Sequence, residues 1–127
     1  MANLSHLNTI MIAEDEALIL LDIEQTLADA GVQTVISTTT VEEALAAIET
    51  GEVQAAVLDL HLGRSGWSYD VANRLKEKGI PFIFSSGTVD IAEGFRDVPF
   101  IMKPFSTEQL VAALLQVTTT DRIEAAQ

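Results

Sequence analysis

At 127 residues the chain is long enough for one compact domain and short for two of ordinary size, and its 48% hydrophobic and 20% charged residues are those of a packed globular protein rather than a disordered or fibrous one. Nineteen acidic residues against seven basic ones give a formal charge of −12, the wrong sign for gripping a phosphate backbone, which argues against direct nucleic-acid binding. The longest apolar runs are about five residues where a membrane helix needs roughly 20, no basic segment leads into an apolar one at the N-terminus, and cysteine is absent, so a cytoplasmic chain without membrane spans, disulfides or thiolate metal sites is expected.

Five short apolar runs read as strands: Thr9 to Ala13, Val32 to Ile36, Val53 to Leu58, Ile80 to Phe84 and Val98 to Met102. The first is followed by helical spacing at Leu20, Ile23, Leu27 and Ala30. Within that helix Leu18-Ile19-Leu20-Leu21 sweeps most of the circumference, so some apolar surface should stay uncovered. Thr40-Val41-Glu42-Glu43 has the capping-box pattern of a second helix start. Gly31, Gly51 and Gly79 stand where three helices should stop, each just before a new strand. A fourth helix around Asp90 to Phe95 is short and interrupted by Gly94, which makes it marginal. Ser106-Thr107-Glu108-Gln109 caps the last helix, with Leu110, Leu114 and Val117 at helical spacing, and residues 118–127 read as a frayed helix end or loose tail.

Strand and helix therefore alternate as (βα)₅ in a single domain, residues 1–127 with a core at about 8–117. Right-handed crossovers turn that alternation into an α/β, flavodoxin-like three-layer sandwich with a parallel sheet of order 2-1-3-4-5. Ligands in such sheets bind beyond the carboxyl ends of the strands, where the order reverses. Here the ends carry Glu14-Asp15, Asp59, Ser85-Ser86-Gly87 and Lys103-Pro104. Singly, each has an ordinary explanation, the Asp as a helix cap or turn former, the Ser as a turn residue, the Lys as a surface cation. Their coincidence at four strand ends of one edge points to a site.

Glu14, Asp15 and Asp59 flank the reversal, and three carboxylates there resist ionising together unless a cation offsets them. Mg²⁺, which prefers hard oxygen ligands and often bridges carboxylates and phosphates, suits that task. A carboxylate can also attack a phosphoryl group, given groups that neutralise the transferred oxygens, for which Lys103, Ser86 and the amides near Gly87 are suited.

These residues resemble the response-regulator receiver domains of two-component signalling, over about residues 8–117. The resemblance rests on Ile12-Ala13-Glu14-Asp15, Val57-Leu58-Asp59-Leu60, Ser86-Gly87, Lys103-Pro104-Phe105, and Phe100 three residues before the Lys. Pro81-Phe82-Ile83-Phe84-Ser85-Ser86-Gly87 is further similar to a subgroup with a Pro-Phe-x-Phe-x-Thr/Ser-Gly motif. The resemblance implies that Asp59 accepts a phosphoryl group from a histidine kinase or histidine phosphotransfer protein. It implies that Glu14, Asp15, Asp59 and the His61 backbone carbonyl hold Mg²⁺, that Ser86 and Lys103 contact the phosphoryl group, and that the Lys103–Pro104 bond is cis. Phe100 would change rotamer with Ser86 and so switch a protein–protein surface, with no enzyme activity beyond self-phosphorylation and autodephosphorylation at Asp59. The first helix, beside the acidic pocket, would help dock the phosphodonor.

Many relatives place a Pro four residues after the acceptor and a Gly four beyond it, where this chain has Gly63 and Trp67. The loop after the third strand should therefore follow its own path, and the short fourth helix leaves open the usual switch surface of fourth helix, fifth strand and fifth helix. The His61 ring has no companion ligands, Trp67 suits packing, and His6 should be solvated. Other readings are a phosphate sink or relay and an aspartate-dependent small-molecule phosphatase. The phosphatase would want Asp-x-Asp after the first strand, where Asp15 is followed by Glu16-Ala17, and a nucleotide or flavin carrier would want a Gly-rich loop there.

Overall fold

The computed structural model describes residues 3–88 and 90–126, with side chains as far as residue 119. Strands β1 (Thr9–Ala13), β2 (Thr34–Thr38), β3 (Ala55–Asp59), β4 (Phe82–Ser86) and β5 (Phe100–Met102) form one parallel sheet in the order β2-β1-β3-β4-β5. Helices α1 (Ala17–Asp29) and α4 (Thr107–Ala126) cover one face, and α2 (Val41–Glu49) and α3 (Tyr69–Glu77) the other. The strands are buried on both sides and alternate between two cores. Ile10, Ile12, Val57, Ile83 and Ile101 meet Ile23 and Leu27 of α1 and Leu110 and Leu114 of α4. Met11, Leu58, Phe82 and Phe84 meet Ile48 of α2 and Val71 and Leu75 of α3. No helix among the described residues is long and apolar enough to cross a membrane.

Four strands begin two residues later than their apolar runs suggest, and the helix ends explain two of these shifts. Gly31 N donates to Ala28 O and Val32 N to Leu27 O, both at 3.1 Å, and Gly79 N and Ile80 N donate to Lys76 O and Leu75 O at 3.1 and 2.9 Å. This is the Schellman pattern, in which the apolar residue after the glycine closes the helix below it. Val32 and Ile80 are thus spent on helix ends, and the sheet ladder starts beyond them. At the other ends the capping boxes form. Gln109 N donates to Ser106 Oγ at 3.1 Å and Ser106 N to Gln109 Oε1 at 2.8 Å. Glu43 N donates to Thr40 Oγ1, while its carboxylate accepts from Thr39 N, one residue further out than the pattern implies.

The fourth helix of the (βα)₅ scheme does not form. Among the described residues between β4 and β5 there are only turns, with Gly94 at φ +97°. A helix of about one and a half turns with a glycine in it gains few hydrogen bonds for the chain entropy it loses. The segment is held by tertiary anchors instead. Ile91, Phe95 and Val98 enter the core, Ala92 N donates to the Tyr69 hydroxyl at 2.9 Å, and Lys76 Nζ donates to Gly94 O at 2.9 Å. On β5, Phe100 and Met102 remain 39% and 41% exposed. His6 also departs from expectation, being partly buried with its ring Nε2 3.0 Å from Thr118 Oγ1 on α4.

Candidate functional site

Strand alternation places the carboxylates. Glu14 N donates to Thr38 O at 3.0 Å, which carries the β1 ladder one residue further and points Glu14 to the side of Ile10 and Ile12, beneath α1. Asp59 follows Ala55 and Val57 onto the same side. Since Ala13 pairs with Leu58, Glu14 and Asp59 are lateral neighbours. Glu14 is fully buried and Asp59 6% exposed, whereas Asp15, next along the chain, is exposed. One oxygen from each of Glu14, Asp15 and Asp59 falls within 4.8 Å of the others.

Lys103 reaches over this group from the end of β5. Its ammonium donates to Asp59 Oδ2 at 3.1 Å and lies 2.9 Å from Glu14 Oε1 and 3.8 Å from Glu16 Oε1. The Glu14 contact is a charge pairing rather than an aligned hydrogen bond, so Oε1 remains a buried oxygen without a donor aimed at it. Its other oxygen accepts from Glu16 N at 3.1 Å. Burial pushes Glu14 from 4.5 up to about 7, against the opposing pull of Lys103 and with added repulsion from Asp59. Burial works against the Lys103 ammonium too, but the negative charge of Glu14 and Asp59 beside it outweighs this and holds its pKa above 10.5. One ammonium faces two buried carboxylates and a third close by, leaving an excess of negative charge and an under-used oxygen. That donor set, three hard oxygens with one unsatisfied, fits a divalent cation such as Mg²⁺.

The loop after β3 folds back on itself. His61 N lies 3.4 Å from Asp59 Oδ1, Leu62 N donates to Gly66 O at 2.8 Å, and His61 bridges back to Trp67 around a 3₁₀ turn at Gly63–Ser65. Gly63 has φ +53°, a backbone conformation that favours glycine, and a Cβ there would fall 2.8 Å from Asp15 Oδ2, so a side chain would also displace that carboxylate. The His61 ring stands edge-on to Trp67 with centroids 4.9 Å apart, outside the acidic group. Trp67 stacks in turn on Tyr69, yet keeps over half its surface exposed.

Ser86 and Phe100 lie beside the cluster without joining it. The Ser86 hydroxyl closes a local turn, donating to Thr88 O at 2.7 Å and accepting from Thr88 N at 3.0 Å, while its carbonyl accepts from Lys103 N at 2.8 Å. Phe100 pairs in register with Phe84 on the opposite side of the sheet from Lys103. The Lys103–Pro104 bond is cis. Sequence reading missed Glu16 as a neighbour of Lys103 and Gly63 as the floor under Asp15. The signal for Gly63 was present, since a glycine in place of a common proline marks a loop that needs unusual backbone angles.

A family model described as the response regulator receiver domain matches residues 10–115. Among solved structures, SdrG from Sphingomonas melonis is 36% identical over 90% of this chain and 98% of its own, with a TM-score of 0.75. A response regulator receiver protein from Sinorhizobium medicae is 29% identical over 91% of this chain and 97% of its own, with a TM-score of 0.81. The anti-anti-sigma factor PhyR from Bartonella quintana is 28% identical, with a TM-score of 0.77, over 95% of this chain and 52% of its own. The chain therefore spans about half the length of the PhyR proteins it matches.

Proposed function

The chain belongs to the response regulator receiver domain family, and from that premise we propose that Asp59 is its phosphoacceptor. The observation that carries this reading is the buried Asp59 carboxylate held at 3.1 Å by Lys103, beside Glu14 and Asp15. In the reaction proposed, an Asp59 oxygen attacks the phosphorus of a phosphohistidine on a histidine kinase or phosphotransfer protein. The O–P bond forms as the N–P bond breaks, and the bonding pair leaves on the imidazole nitrogen. Lys103 then offsets negative charge on the transferred oxygens, which is the chief requirement of phosphoryl transfer. Glu14, Asp15, Asp59 and the His61 backbone carbonyl are the groups that would hold Mg²⁺, which would supply further neutralisation of the phosphoryl oxygens.

Phosphorylation then biases a protein–protein surface through Ser86 and Phe100. Ser86 would leave its turn with Thr88 and reach around the strand end to offer its hydroxyl, and Phe100 is partly exposed on β5, where a change of rotamer would alter the surface. The likeness to an anti-anti-sigma factor and the charge of −12 both favour a protein partner over nucleic acid. For the donor, Leu18 and Leu21 of α1 are 83% and 61% exposed beside the acidic edge and fit an apolar contact with the phosphorylated protein.

The test is to mix the protein with Mg²⁺ and a small phosphodonor and follow its intact mass. A single phosphoryl adduct is expected, absent in Asp59→Asn. No adduct on the native chain, or one that survives Asp59→Asn, would overturn the assignment.

A further inference from the structure

The two consecutive serines at the end of β4 point to opposite faces of the sheet. Phe82 and Phe84 pack toward α2 and α3 while Ile83 packs toward α1 and α4. By the same alternation Ser86 continues the first side and Ser85 the second. Ser85 is in register with Asp59 on β3 and with Ile101 on β5. Glu14, Asp59 and Ser85 therefore form one row across three neighbouring strands, each about 4.8 Å from the next. All three are buried, and Ser85 is 1% exposed.

Two facts about Ser85 have no account in the machinery already described. Its Oγ is buried without a hydrogen-bond partner. Lys103, two residues beyond Ile101, contacts Asp59 on β3 and Glu14 on β1, so its side chain has to cross β4 on the face where Ser85 lies. A buried hydroxyl without an acceptor is unfavourable, and few native groups are left so. What the row lacks is one more oxygen above it, and a phosphoryl group on Asp59 brings three.

Resting on the assignment of Asp59 as acceptor, we infer that Ser85 is a second hydroxyl of the site, whose proton is donated to the aspartyl phosphate and stabilises that state. The Ser85 hydroxyl is already desolvated and in place, whereas Ser86 must first leave its bonds with Thr88. The unmodified protein then carries an unmet donor, and the phosphorylated one satisfies it.

The inference predicts effects of opposite sign in two measurements on the full chain. Beryllofluoride with Mg²⁺, which mimics a phosphoryl group on a carboxylate oxygen, is titrated while following the fluorescence of Trp67, whose neighbour His61 lies against Asp59. In Ser85→Ala, affinity should fall about tenfold, the usual scale for losing one hydrogen bond to a charged group. The urea midpoint of the free protein should stay level or rise, because an unpaired hydroxyl has gone. Ser85→Cys, which keeps the volume but donates weakly, should behave like Ser85→Ala. Unchanged beryllofluoride affinity in both variants would overturn the role of Ser85, as would a loss matched by an equal loss of stability in the free protein, the signature of a packing residue. Absence of binding by the native chain would instead overturn the Asp59 assignment and the inference with it.

Discussion

The carboxyl edge around Asp59 and the segment joining β4 to β5 sit next to each other and are held in different ways. At the edge, position follows from sheet register, so that Glu14, Asp59 and Ser85 fall in one row and Lys103 is drawn across it by charge. Among the described residues between β4 and β5 there is no helix, and three apolar side chains, one tyrosine hydroxyl and one lysine hold irregular backbone against the core. Register cannot change without breaking the sheet, whereas a few anchors can be exchanged one at a time without altering it. A site that must stay fixed lies on the first kind of structure, and the proposed switch residues Ser86 and Phe100 stand where β4 and β5 border the second.

The contrast can be broken most severely at Lys103. Lys103→Ala leaves Glu14 and Asp59 buried without their cation and should cost about 3 kcal/mol of stability in urea unfolding. Mg²⁺ should recover part of that loss, since it offsets the same charges. Phe95→Ala strikes the other region, removing a buried ring packed on Tyr69 and Phe84. A loss of up to about 3 kcal/mol is expected, with Mg²⁺ affinity, read by Trp67 fluorescence, left unchanged. If Mg²⁺ affinity fell as well, the two regions would be coupled already in the unphosphorylated state.

Next in size, saturating Mg²⁺ should stabilise the native chain by about 2.7 kcal/mol at 100 times its dissociation constant, and by much less in Asp15→Asn. Tyr69→Phe leaves Ala92 N without its acceptor and should cost about 1 kcal/mol. Amide hydrogen exchange should speed up around residues 91–98 and stay unchanged at the acidic edge. The smallest effect is expected from Glu16→Gln, whose exposed carboxylate lies 3.8 Å from Lys103, at about 0.5 kcal/mol or less. A larger effect there would mean that the edge extends further along α1 than the buried row.

Much of this was legible in the one-dimensional pattern, because it depends on neighbours in the chain. Apolar runs, capping boxes and terminal glycines pointed to five strands and five helices, of which the five strands and four helices form, and polar residues at four strand ends located the edge where Glu14, Asp15, Asp59 and Lys103 meet. Even the marginal nature of the fourth helix showed in Gly94. What the chain order could not supply depends on groups distant in sequence. Where residues 90–98 are held was set by Tyr69 and Lys76 on α3, and the partial exposure of Phe100 depends on what packs over β5. The closeness of Gly63 to Asp15 came from a loop folding back over 47 intervening residues toward β1. The two serines of β4 differ by one residue in sequence and by a whole face in the sheet. Only the register of β4 between β3 and β5 put Ser85, rather than Ser86, in the row with Asp59.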